Sequence, residues 1–207
     1  MSNSIKFSSL DLQPTLLSNL VDIGYEEMTL VQAETLPQMI GGSDVLARAK
    51  TGSGKTAAFG LGLLNKLDAT SFRTQALVLC PTRELADQIA KEIRRLARGI
   101  LNVKILTLCG GVPLRPQLAS LQHSPHIIVG TPGRVLKHLG KETVKLADLE
   151  TLVLDEADRM LDMGFAEELD AILKFFNIAF IPLLLGAATI VFALFHRTRR
   201  KVQVVTE

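Results

Sequence analysis

Ala49-Lys50-Thr51-Gly52-Ser53-Gly54-Lys55-Thr56 decides the fold, lying between an apolar run, Val45–Ala49, and a run with helical spacing, Thr56–Leu67. Glycines let main-chain N–H groups converge on phosphate oxygens, and the N-terminus of the following helix adds partial positive charge. In this pattern Lys55 reaches the β- and γ-phosphates and the Thr56 hydroxyl ligates Mg²⁺, while Ala49 stands where the usual pattern begins with Gly. Far downstream a second apolar run, Leu149–Leu154, ends in Asp155-Glu156-Ala157-Asp158. An acidic cluster alone is usually a solvated face. At the end of a buried strand, Asp155 is placed to hold Mg²⁺ through water and Glu156 to orient or deprotonate an attacking water. Together the two motifs specify a nucleoside triphosphate site with Lys55, Asp155 and Glu156 as its catalytic candidates.

Working outward, residues 29–175 alternate short apolar runs with amphipathic ones. The predicted strands are Val45–Ala49, Ala76–Cys80, Lys104–Cys109, His126–Val129 and Leu149–Leu154. Between them, Arg83–Arg98 carries Leu85, Ile89, Ile93 and Leu96 at helical spacing. Ala76-Leu77-Val78-Leu79 and Ile127-Ile128-Val129 are continuously apolar, as strands buried on both faces are. Alternating β and α units predict an α/β fold, a doubly wound parallel sheet with helices on both faces and ligands at the C-terminal ends of the strands.

The chain has 207 residues, 47% of them apolar, which excludes wholesale disorder. Its two cysteines, Cys80 and Cys109, are too few and too far apart for a disulfide framework or a zinc site. Met1–Ser9 is polar and has no apolar signal core, so the expected compartment is the cytoplasm. The net charge of +2 is unevenly placed: residues 175–207 hold Arg197, Arg199, Arg200 and Lys201 against Glu207 alone. Residues 1–174 therefore carry 19 basic and 20 acidic side chains, and a case for nucleic acid must come from local sites.

With both motifs in place, the chain resembles the N-terminal RecA-like domain of DEAD-box RNA helicases, and residues 1–174 look nearest to a bacterial type. The likeness rests on a set in family order. Phe7, Gly24-Tyr25 and Met28-Thr29-Leu30-Val31-Gln32 precede the phosphate loop; Pro81-Thr82-Arg83-Glu84-Leu85, Gly110-Gly111, Thr131-Pro132-Gly133-Arg134 and Asp155–Asp158 follow it. The resemblance implies a RecA-like sheet, ATP with Mg²⁺ as cofactors, and RNA as partner. It implies that Gln32 reads the adenine edge, an amide offering both donor and acceptor, with Phe7 and Tyr25 walling the base. It implies that Pro81, Thr82, Arg83, Gly110, Gly111, Thr131, Pro132, Gly133 and Arg134 line a groove for the RNA backbone, although Pro-Gly and Gly-Gly are also ordinary turn chemistry.

The family's next motif, Ser-Ala-Thr on a central strand, meets Leu183-Leu184-Leu185-Gly186-Ala187-Ala188-Thr189 here. Phe175–Phe195 is uncharged throughout and is followed by His196-Arg197-Thr198-Arg199-Arg200-Lys201. A run of about 20 apolar residues spans a bilayer, so one expectation is an apolar helix over 175–195 that associates with a membrane. A buried strand near 181–189 is the competing one. The domain reading is a truncated ATP-binding unit over 1–174 with an apolar segment and basic tail over 175–207. Without a second RecA-like domain and its arginine fingers, the chain is expected to hydrolyse ATP very weakly and not to unwind duplexes, unless such a domain acts in trans. The alternatives are a membrane-tethered nucleotide-binding module and a truncated or fused product without function.

Overall fold

Ala76-Leu77-Val78-Leu79 is buried along its whole length because it has a helical layer on each side. Ala76 and Val78 point to one layer and Leu77 and Leu79 to the other, the period-two alternation of a strand. The computed structural model describes residues 5–50 and 52–175. In chain order these form α1 (Pro14–Asp22), α2 (Leu30–Ile40), α3 (Lys55–Lys66), β1 (Ala76–Leu79), α4 (Arg83–Leu96) and β2 (Ile105–Leu108). There follow α5 (Leu114–Ser120), β3 (Ile127–Gly130), α6 (Pro132–Leu139), β4 (Thr151–Leu154), α7 (Ala157–Asp162) and α8 (Ala166–Lys174). The four strands are all parallel, in the order β2-β3-β1-β4.

One layer packs Leu16 and Leu20 of α1, Leu36 of α2, Leu61 and Leu64 of α3, and Ile89 and Ile93 of α4 on the sheet. The other packs Val135 and Leu139 of α6, Met160 of α7, and Leu169 and Ile172 of α8. Each fully buried Leu or Ile stabilises the fold by about 1.5–3 kcal/mol. α4 shows how the pattern works: Ala86, Ile89, Ala90, Ile93 and Leu96 form one buried stripe, and the Thr82 hydroxyl accepts from Leu85 N at 3.3 Å to cap the first turn.

Gly130 closes β3 where the sheet is tightest. A Cβ there would lie 2.4 Å from the Leu108 carbonyl oxygen and 2.8 Å from Val135 Cγ2. The carbonyl is fixed in the β2–β3 ladder, so Gly130→Ala is expected to destabilise the domain by about 1–3 kcal/mol. A urea midpoint equal to the parent's would show that the strands separate freely.

Four of the five predicted strands form, each within two residues of its expected limits at the N-terminal side. Val45–Ala49 does not: residues 43–50 have no strand partner, and Leu46 is 90% exposed. The reason lies beside it. Among the described residues β4 pairs with β1 alone, and a cleft of about 300 Å³, lined by Met39, Val45, Leu46, Phe59 and Leu63, separates its other edge from α2 and α3. An apolar run becomes a strand only where a neighbour offers its main chain. Among the described residues no helix is long and apolar enough to cross a membrane. α8 ends at Lys174 with Phe175 as its cap. The rest of the apolar helix expected over 175–195, and with it the membrane association, lies outside the described residues.

Candidate nucleotide and RNA site

Every motif singled out after the phosphate loop leaves the sheet at the same edge. Pro81–Arg83 follows β1, Gly110-Gly111 follows β2, Thr131–Arg134 follows β3 and Asp155-Glu156 follows β4. Parallel strands make this so, because all their C-terminal ends point one way.

A cavity of about 510 Å³ at that edge is lined by Phe7, Tyr25, Gln32, Gly52, Gly54, Lys55, Thr56, Asp155 and Glu156. The phosphate loop is shaped for an anion. Gly52 and Gly54 adopt φ of +81° and +93°, conformations open to glycine, and Lys55 begins α3. A Cβ at Gly52 would meet nothing, whereas one at Gly54 would lie 2.5 Å from Gln32 Nε2. Ser53 Oγ is buried without a partner. An orphaned hydroxyl beside the open Gly52 at a helix N-terminus fits a phosphate group. Lys55 Nζ donates to the Ala49 and Lys50 carbonyls within the loop. Thr51 lies outside the described residues.

Gln32 has two engagements that the sequence did not disclose. Its Oε1 accepts from Thr29 N at 2.8 Å, completing a reciprocal cap on α2, and its Nε2 donates to Gly54 O at 3.2 Å. One amide hydrogen remains for a base. Phe7 is almost wholly buried and packs near-parallel to Tyr25, with ring centroids 6.5 Å apart. Tyr25 is held from behind: its hydroxyl donates to Glu92, and the Arg95 guanidinium lies over its ring at 4.8 Å.

Asp155 is pushed above the usual carboxylate range, first by burial and then by the Glu156 charge, against the pull of Lys55. A cation would relieve that. Glu156 takes the left-handed conformation, φ 53° and ψ 48°, and its carboxylate pairs with Arg159 at 3.1 Å. Among the described residues no group of three or more His, Cys, Asp or Glu could hold a metal. The donor set at hand, Thr56 and Asp155, suits Mg²⁺, which binds through one or two side chains, waters and substrate phosphates.

The groove residues divide. Pro81 and Pro132 are buried and shape their turns; Arg83, Gly110, Gly111 and Gly133 are exposed. Thr82 is occupied as the α4 cap. Arg134 is half-buried, donating to Gln117 Oε1 at 2.7 Å and to Val112 O at 2.9 Å. Gln117 is a residue that no motif pointed to.

The DEAD/DEAH box helicase family matches residues 29–194, a stretch that runs past Lys174. An ATP-dependent RNA helicase, DbpA, of Escherichia coli is 64% identical over 170 residues, covering 82% of this chain and 37% of that protein. A DEAD-box ATP-dependent RNA helicase, CshA, of Bacillus cereus is 47% identical over 167 residues, covering 81% and 32%. The crystal structure of a DEAD box protein from Methanococcus jannaschii superimposes with a TM-score of 0.78 at 38% identity, over 82% of this chain and 46% of that one. The chain thus spans about a third of the length of these curated relatives.

Proposed function

The chain belongs to the DEAD/DEAH box helicase family, and from that premise we propose that residues 1–174 bind ATP–Mg²⁺ and the RNA backbone as the N-terminal RecA-like half of an ATP-dependent RNA helicase. One observation carries the reading: Gln32, the phosphate loop and the Asp155-Glu156 pair, far apart in sequence, line a single cavity. In it Lys55 and the N-terminus of α3 hold the phosphates, Thr56 and Asp155 hold Mg²⁺, and Glu156 positions the water. Bound ATP supplies the phosphoryl group, and the metal neutralises its developing charge. Arg83, the Gly110-Gly111 turn and Thr131–Arg134 meet phosphate and sugar, which carry no sequence information. Hydrolysis by the chain alone is very weak and unwinding absent. A second RecA-like domain in trans completes both.

Titration with a fluorescent ATP analogue and Mg²⁺ tests the nucleotide half. Lys55→Ala is expected to weaken binding about 10- to 100-fold, the effect of losing hydrogen bonds to a charged group. Unchanged affinity would refute the site, and equal affinity for GTP would refute base reading by Gln32. Fluorescence anisotropy with single-stranded RNA tests the other half: affinity is expected to fall as salt rises and to be indifferent to base sequence.

A further inference from the structure

Two of the three segments that face the proposed RNA groove converge on one buried side chain. Gln117, on α5, is 8% exposed. Its Nε2 donates to Cys109 O at 3.2 Å, at the start of the Gly110-Gly111 turn, and its Oε1 accepts from Arg134 Nη1 at 2.7 Å. The same Oε1 lies 3.0 Å from Nε2 of His138, which is wholly buried in α6. Arg134 then reaches back to Val112 O at 2.9 Å, closing a ring from the turn after β2 through α5 to the first turn of α6.

We propose that Gln117 is a positioning residue, which sets the Gly110-Gly111 turn and Arg134 in one fixed relation so that both meet the same stretch of RNA backbone. Only a primary amide serves all three partners. Its oxygen accepts from two donors while its nitrogen gives a hydrogen to a carbonyl. The amide orientation requires that His138 Nε2 carry the proton, while Nδ1 lies 2.9 Å from the Thr143 hydroxyl, which also donates to the His138 carbonyl at 3.0 Å. Burial, and after it the Arg134 charge, hold His138 below its ordinary pKa and keep it in that neutral form. A buried network stays in one arrangement only while every member is satisfied. RNA phosphates repeat at fixed intervals, so two contacts held rigidly apart avoid the ordering cost that two independent loops would meet on binding.

The inference rests on the RNA-binding reading above, and its test keeps the two apart. The full 207-residue chain, Gln117→Leu and Gln117→Glu are compared by amide hydrogen exchange, by anisotropy with single-stranded RNA and by titration with ATP–Mg²⁺. Gln117→Leu is expected to speed exchange in both 109–113 and 131–134 and to weaken RNA binding about tenfold, with nucleotide affinity unchanged. Gln117→Glu keeps the acceptor for Arg134 and His138 but loses the donor to Cys109 O. Exchange is then expected to quicken in 109–113 only. A general packing role would move nucleotide and RNA affinity together. If Gln117→Leu loses both for want of folding, the one-sided effect of Gln117→Glu decides. Parental exchange in both loops of a folded Gln117→Leu, or in 109–113 of Gln117→Glu, overturns the proposal. Parental chain that binds no RNA overturns the functional reading, while the exchange results still decide whether Gln117 joins the loops.

Discussion

RNA-stimulated ATP hydrolysis by this chain is expected to rise about 10³–10⁵-fold when a second RecA-like domain bearing an arginine finger is supplied in trans. The composition of the cavity is the reason. Among the described residues Lys55 is the one cation lining it, facing the carboxylates of Glu27, Glu92, Asp155 and Glu156. Phosphoryl transfer spreads negative charge over the equatorial oxygens, and beyond a bound Mg²⁺ the described residues lining the cavity would offer that charge only Lys55. A guanidinium entering there stabilises the transition state more than bound ATP, so it acts on turnover rather than on affinity. Phosphate release under single-turnover conditions with RNA present reads the effect. An added domain whose finger arginine is replaced by alanine should return the rate to that of the chain alone. If both domains stimulate equally, the stimulating group is not the arginine.

In that complemented system, Glu156→Gln is expected to lower hydrolysis about 10²–10⁴-fold, the usual contribution of a positioned base, with ATP affinity essentially retained. Glutamine preserves the volume and the left-handed backbone tolerance needed at φ 53°. Such a conformation destabilises a non-glycine residue by about 1–3 kcal/mol, and it persists where the surroundings over-determine it. Here the Asp155 N–H donates to Leu79 O on one side and α7 starts on the other, so the turn aims Glu156 into the cavity instead of along β4. The variant loses the charge that accepts a proton and the ion pair with Arg159, but not the aim. Parental hydrolysis by Glu156→Gln would move the base elsewhere.

The sequence disclosed those features whose chemistry is contiguous. The phosphate loop and Asp155–Asp158 each carry their reason within a few residues, and four strands announced themselves by unbroken apolar runs. Val45–Ala49 has the same run and does not form a strand, because pairing depends on what lies beside β4 and not on its own composition. Gln117 was illegible for the converse reason. It sits in an unremarkable helix, and its partners, Cys109 just after β2 and Arg134 and His138 on α6, become neighbours only when the sheet closes. The motif alone marks Arg134 as an RNA contact. Folding adds a second engagement, with Gln117 and Val112, that spacing could not reveal.

The hydrogen bond from Gln32 to Gly54 O has a consequence for how such a site can change over evolutionary time. If Gln32 reads the base as proposed, base choice and the shape of the phosphate loop share one side chain, so neither can drift alone. A substitution at Gln32 that suited another base would also remove the side-chain half of the reciprocal α2 cap, the acceptor for Thr29 N, and release the bond to Gly54 O. Intermediates on a path towards another nucleobase would lose purchase on every triphosphate before gaining discrimination. On the proposed reading, a laboratory search for altered base specificity would have to change Gln32 and the loop together.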